Sequence, residues 1–172
     1  RCGECQAWGS VTEVGAVTAR TTAASAVDRP AIPIGEVDVR RAVARPTGVP
    51  EFDRVLGGGI VPGAVVLVAG EPGIGKSTLL LDVAARAARS GDHGDRKVLY
   101  VSGEESSAQV RTRAERIEAM ARSLYLASET DLATVLGQID ALQPELVIVD
   151  SVQTISSAEV EGSAGNVSQV RE

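Results

Sequence analysis

Aromatic side chains are almost absent from this sequence: Trp8, Phe52, Tyr100 and Tyr125 are the full set in 172 residues. A surface that stacks on successive nucleic-acid bases draws on several rings, so the composition offers no such platform. Lysine is as scarce, with Lys76 and Lys97 standing against 15 arginines. Positive charge in excess is missing too. The net charge is −6; residues 1–50 sum to +1 and the remainder to −7. Whole-chain electrostatics therefore lends no support to a polyanion-binding field. The two cysteines, Cys2 and Cys5, form no disulfide framework. Long apolar runs are lacking, since crossing a bilayer takes ~20 such residues and the longest stretch here, Ile60–Ala69, is interrupted by Pro62 and Gly63. No basic segment followed by an apolar one opens the chain, so no signal peptide is expected. A cytoplasmic location without membrane attachment is the expectation.

What is present suffices for a packed core: 44% of residues are hydrophobic. The length fits one α/β domain with an appendage. Three zones are expected. Residues 1–15 are a short Cys/Gly/Trp segment. Residues 16–46 read as a linker with Pro30, Pro33 and Pro46, in which Ile32, Ile34, Val37 and Val39 could form an edge strand. From Thr47 onward strands alternate with helices, as a parallel sheet requires. Strands are expected at Ala64–Ala69, Lys97–Ser102, Ser123–Ala127 and Glu145–Asp150, and helices at about Lys76–Ser90, Ser107–Arg122 and Asp131–Gln143. Leu79, Leu80, Val83, Ala84 and Ala87 recur at helical spacing in the first helix. Ser106 with Gln109 has the pattern of a capping box before the second. Residues 156–166 read as a loop.

Gly70-Glu71-Pro72-Gly73-Ile74-Gly75-Lys76-Ser77, followed by Thr78, fits the phosphate-binding loop G-x-x-x-x-G-K-[ST]. Glycines let the backbone fold into a concave nest whose N–H groups point inward at phosphate oxygens. A helix beginning near Lys76 adds the positive end of its dipole. Lys76 brings a compact charge to the β and γ phosphates, and Ser77 offers its hydroxyl to Mg²⁺. One of only two lysines falls where this motif demands an ammonium. A glycine-rich turn that binds nothing has no need of one. A dinucleotide fingerprint would require glycine at position 78, where Thr78 stands.

Leu146-Val147-Ile148-Val149-Asp150 is an apolar run ending in an acid. At the carboxyl end of a parallel strand that carboxylate faces the crevice where ligands bind, and it can hold magnesium through its water shell. The strand over 97–102 leads into Glu104 and Glu105. One of the two can act as general base on the attacking water; adjacent acids point different ways, so only one need face the phosphate. A solvated acidic turn capping the next helix is the competing reading. Cys2 and Cys5 have zinc-ligand spacing, but a closed structural site takes four ligands. His93 reads as a solvated loop residue and Trp8 as a packing residue.

Beyond these motifs, Thr47-Gly48-Val49-Pro50-Glu51-Phe52-Asp53-Arg54-Val55-Leu56-Gly57-Gly58-Gly59, Val61-Pro62-Gly63, the segments Tyr100–Ser106 and Val147–Thr154, and Cys2-Gly3-Glu4-Cys5-Gln6-Ala7-Trp8-Gly9 occur together. The sequence resembles the bacterial RadA (Sms) family of DNA repair and recombination proteins over nearly its whole length. The resemblance implies an α/β fold with a RecA-like P-loop core and a mainly parallel, here incomplete, sheet over residues 47–172. In front of that core it implies a partial zinc-ribbon segment and the linker. It further implies ATP and Mg²⁺ as cofactors, Zn²⁺ in the complete protein, and a hexameric ring around single-stranded or branched DNA that assists RecA-driven branch migration. By position, Lys76, Ser77, Thr78 and Asp150 take the nucleotide and magnesium roles. Glu104 matches the catalytic glutamate best, and residues 156–168 correspond to a DNA-facing loop. The family's zinc module uses two Cys-x-x-Cys pairs, of which Cys2 and Cys5 match the second. Its later sheet strands, Lys-Asn-Arg-Phe-Gly motif and Lon-protease-like domain have no counterpart here, so a piece of a longer protein is expected. A RecA-like signalling or clock ATPase and a non-catalytic nucleotide-sensing module are the alternatives. No Asn-Lys-x-Asp guanine-reading motif is present.

Overall fold

A computed structural model describes Glu4 and the stretches 30–90 and 96–158. Cys2, Cys5, Trp8, His93 and residues 159–172 lie outside the described residues, as does the linker before Pro30. The chain divides into two units, Arg1–Asp38 and Val39–Glu172. In the first, Ile34–Glu36 is a single 3-10 turn closed by Glu36 N–H donating to the Pro33 carbonyl (2.9 Å). Val39–Ala42, in the second, is another. The edge strand considered for this stretch is thus not formed, because local turns already use the backbone groups a ladder would need.

The second unit begins with an antiparallel bridge between Arg45 and Ile60, which brackets helix α1 (Pro50–Val55). Proline at the first helical position costs no hydrogen bond there. The Asp53 carboxylate reaches back to accept from Thr47 N–H (2.7 Å) and Gly48 N–H (3.2 Å). Gly59 closes the bracket. Its φ is +134°, and a Cβ there would overlap the Arg45 carbonyl.

Helix α2 (Lys76–Arg89) buries Leu81, Val83, Ala84, Ala85, Ala87 and Ala88. Strand β1 (Val98–Ser102) is buried throughout. Helix α3 (Ser107–Arg116) carries the expected capping box, with Gln109 Oε1 accepting from Ser106 N–H (3.0 Å). It stops at Arg116, six residues before the expected end. Glu118 adopts a left-handed φ of +57°, and Ala119 N–H donates back to the Ala114 carbonyl (2.8 Å). That is a left-handed helix stop built without glycine. The Arg89 guanidinium donates to the freed carbonyls of Glu118 and Met120. Strand β2 (Leu124–Ser128), helix α4 (Leu132–Leu142) and strand β3 (Leu146–Asp150) follow. Asp131 caps α4 by accepting from Thr134 N–H at 2.9 Å.

The three strands form a parallel sheet in the order β2-β1-β3. Alternation along β1 divides the core. Val98 and Tyr100 pack with α2, α3 and Ile148 on one face. Leu99 and Val101 pack with Val135, Ile139, Val147 and Val149 on the other. The register sets Ser102 beside both Ser128 and Asp150, so the carboxyl ends of all three strands lie in one row. This α/β arrangement is consistent with a partial RecA-like core.

The strand expected at Ala64–Ala69 is not part of this sheet. Val65 is 98% and Leu67 80% exposed. An apolar run supplies propensity only; a strand exists where a neighbour offers a ladder. Here β1 pairs with β2 and β3, and among the described residues Ala64–Ala69 makes no ladder with the free edge of β3.

Candidate nucleotide site

The phosphate loop is built as the motif requires. Gly73 and Gly75 have φ of +80° and +102°, and on each the side where a Cβ would stand is open space. Gly75 is the N-cap of α2, so Lys76, Ser77 and Thr78 form its first turn. The N–H groups of a first turn have no partner within their helix and carry the positive end of its dipole. Lys76 Nζ donates to the Gly70 (2.8 Å) and Glu71 (2.9 Å) carbonyls. It therefore closes the loop over its own backbone, using two of its three donors. Glu71, Pro72 and Ile74 form the exposed rim.

Asp150 is brought to the same place from the sheet. Packing of α2 on β1 and β3 sets the first turn of the helix above the strand ends. The contact is made by Tyr100, whose hydroxyl donates to Asp150 Oδ2 at 2.6 Å and lies 3.5 Å from the Ser77 carbonyl. Tyr100 is only 1% exposed. Burial, and then the hydrogen bond and negative charge of Asp150, push its pKa far above the ordinary tyrosine value, so it remains a donor.

Glu104 and Glu105 diverge, as two successive residues past a strand end should. Glu104 Oε1 accepts from Ser151 Oγ (2.8 Å) and Gln153 Nε2 (3.2 Å), both on the segment that leaves β3. Glu105 turns toward α3 and pairs with Arg113. Its backbone is fixed as well, since its N–H donates to Ser102 Oγ (3.1 Å) and its carbonyl accepts from Ser128 Oγ (3.0 Å). Just before them, Gly103 N–H donates to the Asp150 carbonyl (3.1 Å), and any Cβ there would collide with Thr154.

These residues fit a nucleoside triphosphate with magnesium. The loop is an open cradle with outward-facing glycines, a helix start and an ammonium. A hydroxyl-bearing Ser77 and the Asp150 carboxylate stand beside it. One carboxylate together with substrate phosphates is the donor set magnesium takes in such sites, in contrast to an all-protein cage. Among the described residues no group of three or more His, Cys, Asp or Glu is placed to hold a metal ion. Among the same residues no helix is long and apolar enough to cross a membrane. Cys2 and Cys5, expected as zinc ligands, lie outside the described residues, and only residues 156–158 of the expected DNA-facing loop lie within them. Ser156 there bridges to Asp131 in parallel.

Four residues of the site were not anticipated from sequence: Tyr100, Arg113, Ser151 and Gln153. Only Tyr100 carried a signal. A tyrosine inside an otherwise aliphatic strand needs a partner for its hydroxyl, and an acid two residues further along a neighbouring strand is within its reach.

Fold and site together define a P-loop nucleotide-binding domain of the α/β class. A family profile described as AAA domain matches residues 29–170, and the chain belongs to that family. It is 54% identical over 178 residues to the DNA repair protein RadA of Mycobacterium tuberculosis (strain ATCC 25618 / H37Rv), an alignment covering 99% of this chain and 36% of that protein. It is 50% identical over 177 residues to the DNA repair protein RadA of Mycolicibacterium smegmatis, with 99% and 37% covered. With the protein of the same name from Streptococcus pyogenes serotype M1 it shares 43% identity over 176 residues, with 100% and 38% covered. The chain thus spans little more than a third of the length of these curated relatives.

Proposed function

We propose that this chain carries the nucleotide site of an ATP-hydrolysing motor that acts on DNA in repair and homologous recombination. The observation that carries the reading is the meeting of the Ser77 turn and Asp150 on either side of one tyrosine hydroxyl, with Glu104 exposed at the adjoining strand end. Gly70, Glu71, Pro72, Gly73, Ile74, Gly75, Lys76, Ser77 and Thr78 wrap the phosphates. Backbone N–H groups of the loop and of the first turn of α2 donate to them, and the Lys76 ammonium adds charge. Magnesium, when bound, neutralises charge developing on the phosphate oxygens; Ser77 and Asp150 are the residues that would hold it. Glu104 accepts the proton of the attacking water, its carboxylate aimed by Ser151 and Gln153. Glu105 holds α3 through Arg113 and takes no part in proton transfer.

The choice of DNA repair follows the relatives' name. Single-stranded or branched DNA as substrate, a homo-hexameric ring, the RecA recombinase as partner and a zinc site that includes Cys2 and Cys5 follow the family resemblance. Phosphate release by the full-length protein, with and without single-stranded DNA, tests the reading. Stimulation by DNA, abolished in Lys76→Ala, is the expected result. Nucleotide binding without hydrolysis would favour a sensing module instead, and hydrolysis indifferent to DNA a signalling ATPase.

A further inference from the structure

Tyr100 is a buried polar group that the loop, the acid and the base do not account for. Apolar side chains of α2, α3 and β3 surround its ring, and phenylalanine would fill that space equally well. A hydroxyl buried there costs free energy unless it is hydrogen-bonded. Its single proton goes to Asp150, because 2.6 Å is a charge-assisted distance and 3.5 Å to the Ser77 carbonyl is the outer limit of a hydrogen bond. The bond engages one carboxylate oxygen, Oδ2. A carboxylate held through one oxygen leaves the other free for an ion, with fewer orientations open to it than in an unheld side chain. Asp150 terminates β3, and among the described residues no other side chain hydrogen-bonds its carboxylate.

We propose that Tyr100 is a positioning residue of the magnesium site, its hydroxyl setting the orientation in which Asp150 meets the ion and its water shell. The inference rests on the nucleotide site proposed above. It goes beyond that site by assigning a role to a core strand residue that never touches nucleotide. Because the same hydroxyl lies against the carbonyl of Ser77, it also gauges the distance between the first turn of α2 and the end of β3. Ser77 and Asp150 are the two side chains that must reach one ion together, so that distance matters to both.

The test uses the full-length protein and a fluorescent ATP analogue, with affinity measured as magnesium is varied and again in excess EDTA. Tyr100→Phe keeps the ring that packs the core, and far-UV circular dichroism verifies that the fold is retained. The magnesium concentration at half-maximal binding should rise by about tenfold, the lower end of what outer-sphere partners of metal ligands contribute, while affinity in EDTA stays at the wild-type value. A magnesium midpoint unchanged in Tyr100→Phe overturns the inference. Asp150→Asn separates the two layers of the argument. If it shifts the magnesium midpoint and Tyr100→Phe does not, only the role of Tyr100 fails. If Asp150→Asn also leaves the midpoint at the wild-type value, the site assignment fails and the inference with it. In the Asp150→Asn background, Tyr100→Phe should add nothing; an undiminished further shift would show that Tyr100 acts by another route, and would overturn the inference too.

Discussion

Glu104→Gln and Glu105→Gln should separate cleanly, one in turnover and the other in stability. Glu104 is exposed, and among the described residues its Oε1 accepts from Ser151 and Gln153. Glutamine keeps an acceptor oxygen for both donors but cannot take a proton. A general base contributes about 10²–10⁴-fold, so kcat should fall by about that factor while nucleotide affinity and melting temperature hold. Glu105 differs. Its side chain is 31% exposed and that of its partner Arg113 is 19% exposed. Removing one member of an ion pair costs about 3–5 kcal/mol when the pair is fully buried, and exposed pairs contribute about 0.2–1 kcal/mol. Exposures between those limits put Glu105→Gln at about 1–2 kcal/mol. Glu105 Oε2 and Arg113 Nη1 have no hydrogen-bond partner among the described residues that could compensate. In a domain of this size the melting temperature should drop by about 3–6 °C, with kcat within a fewfold of wild type. Steady-state phosphate release, nucleotide titration and thermal unfolding on the same three preparations measure all of this. Loss of turnover in Glu105→Gln with Glu104→Gln active would refute the reasoning, since the carboxylate paired with Arg113 would then be the base.

Lys76→Ala should weaken binding of a fluorescent ATP analogue by about 10–100-fold, the equivalent of losing charge-assisted hydrogen bonds; equal affinity would remove the phosphate loop from the site. Gly103→Ala should destabilise the protein by about 1–3 kcal/mol in urea denaturation, because the new methyl overlaps the Thr154 side chain, and Thr154→Gly in the same protein should restore part of the loss. Asp53 sets an acid limit on α1: burial raises its pKa, but hydrogen bonds from Thr47 and Gly48 outweigh this and hold it below the ordinary value of 3.8. A lowered folded-state pKa gives stability that is present above the unfolded value and lost as pH falls through the folded one. The stability difference between wild type and Asp53→Asn should therefore be full at pH 6 and shrink below about pH 4 in urea titrations.

Most of the site was legible because its motifs are local. The phosphate loop is a contiguous stretch whose glycines and lysine have fixed backbone tasks, and Asp150 closes a continuous apolar run that forms β3. The capping box of α3 is likewise a pattern within four residues. Contacts made between elements left little trace. Arg113 is an ordinary helix-surface arginine until the turn after β1 brings Glu105 against it. Ser151 and Gln153 find Glu104 from nearly fifty residues away. The early stop of α3 rests on Glu118 taking a left-handed conformation that nothing in its side chain demands. Arg89, from the other helix, then satisfies the exposed carbonyls.

The missing ladder at Ala64–Ala69 shows which forces hold the two halves of the site together. The sequence places a strand at Ala64–Ala69, leading into the phosphate loop. Instead the described structure anchors it from the other side, through α2. Ala84, Ala85, Ala87 and Ala88 are all buried, and side chains this short let a helix lie close against a sheet. Leu81 and Val83 are also buried, with Leu81, Val83, Ala84 and Ala88 in one cluster with Val98, Tyr100 and Ile148. Burial of such side chains is worth about 25 cal/mol per Å² of apolar surface, a force without direction that fixes distance but leaves the axial position of the helix loosely set. Direction comes from the polar contact at the end of the same interface, where Tyr100 reaches Asp150 and lies against Ser77. Apolar packing brings α2 to the sheet, the Tyr100–Asp150 hydrogen bond ties β1 to β3 at their carboxyl ends, and the Ser77 carbonyl lies 3.5 Å from the same hydroxyl. A change that only loosens packing, such as Leu81→Ala, should therefore cost stability first. A change at Tyr100 should cost magnesium coupling first, even though both residues belong to one core.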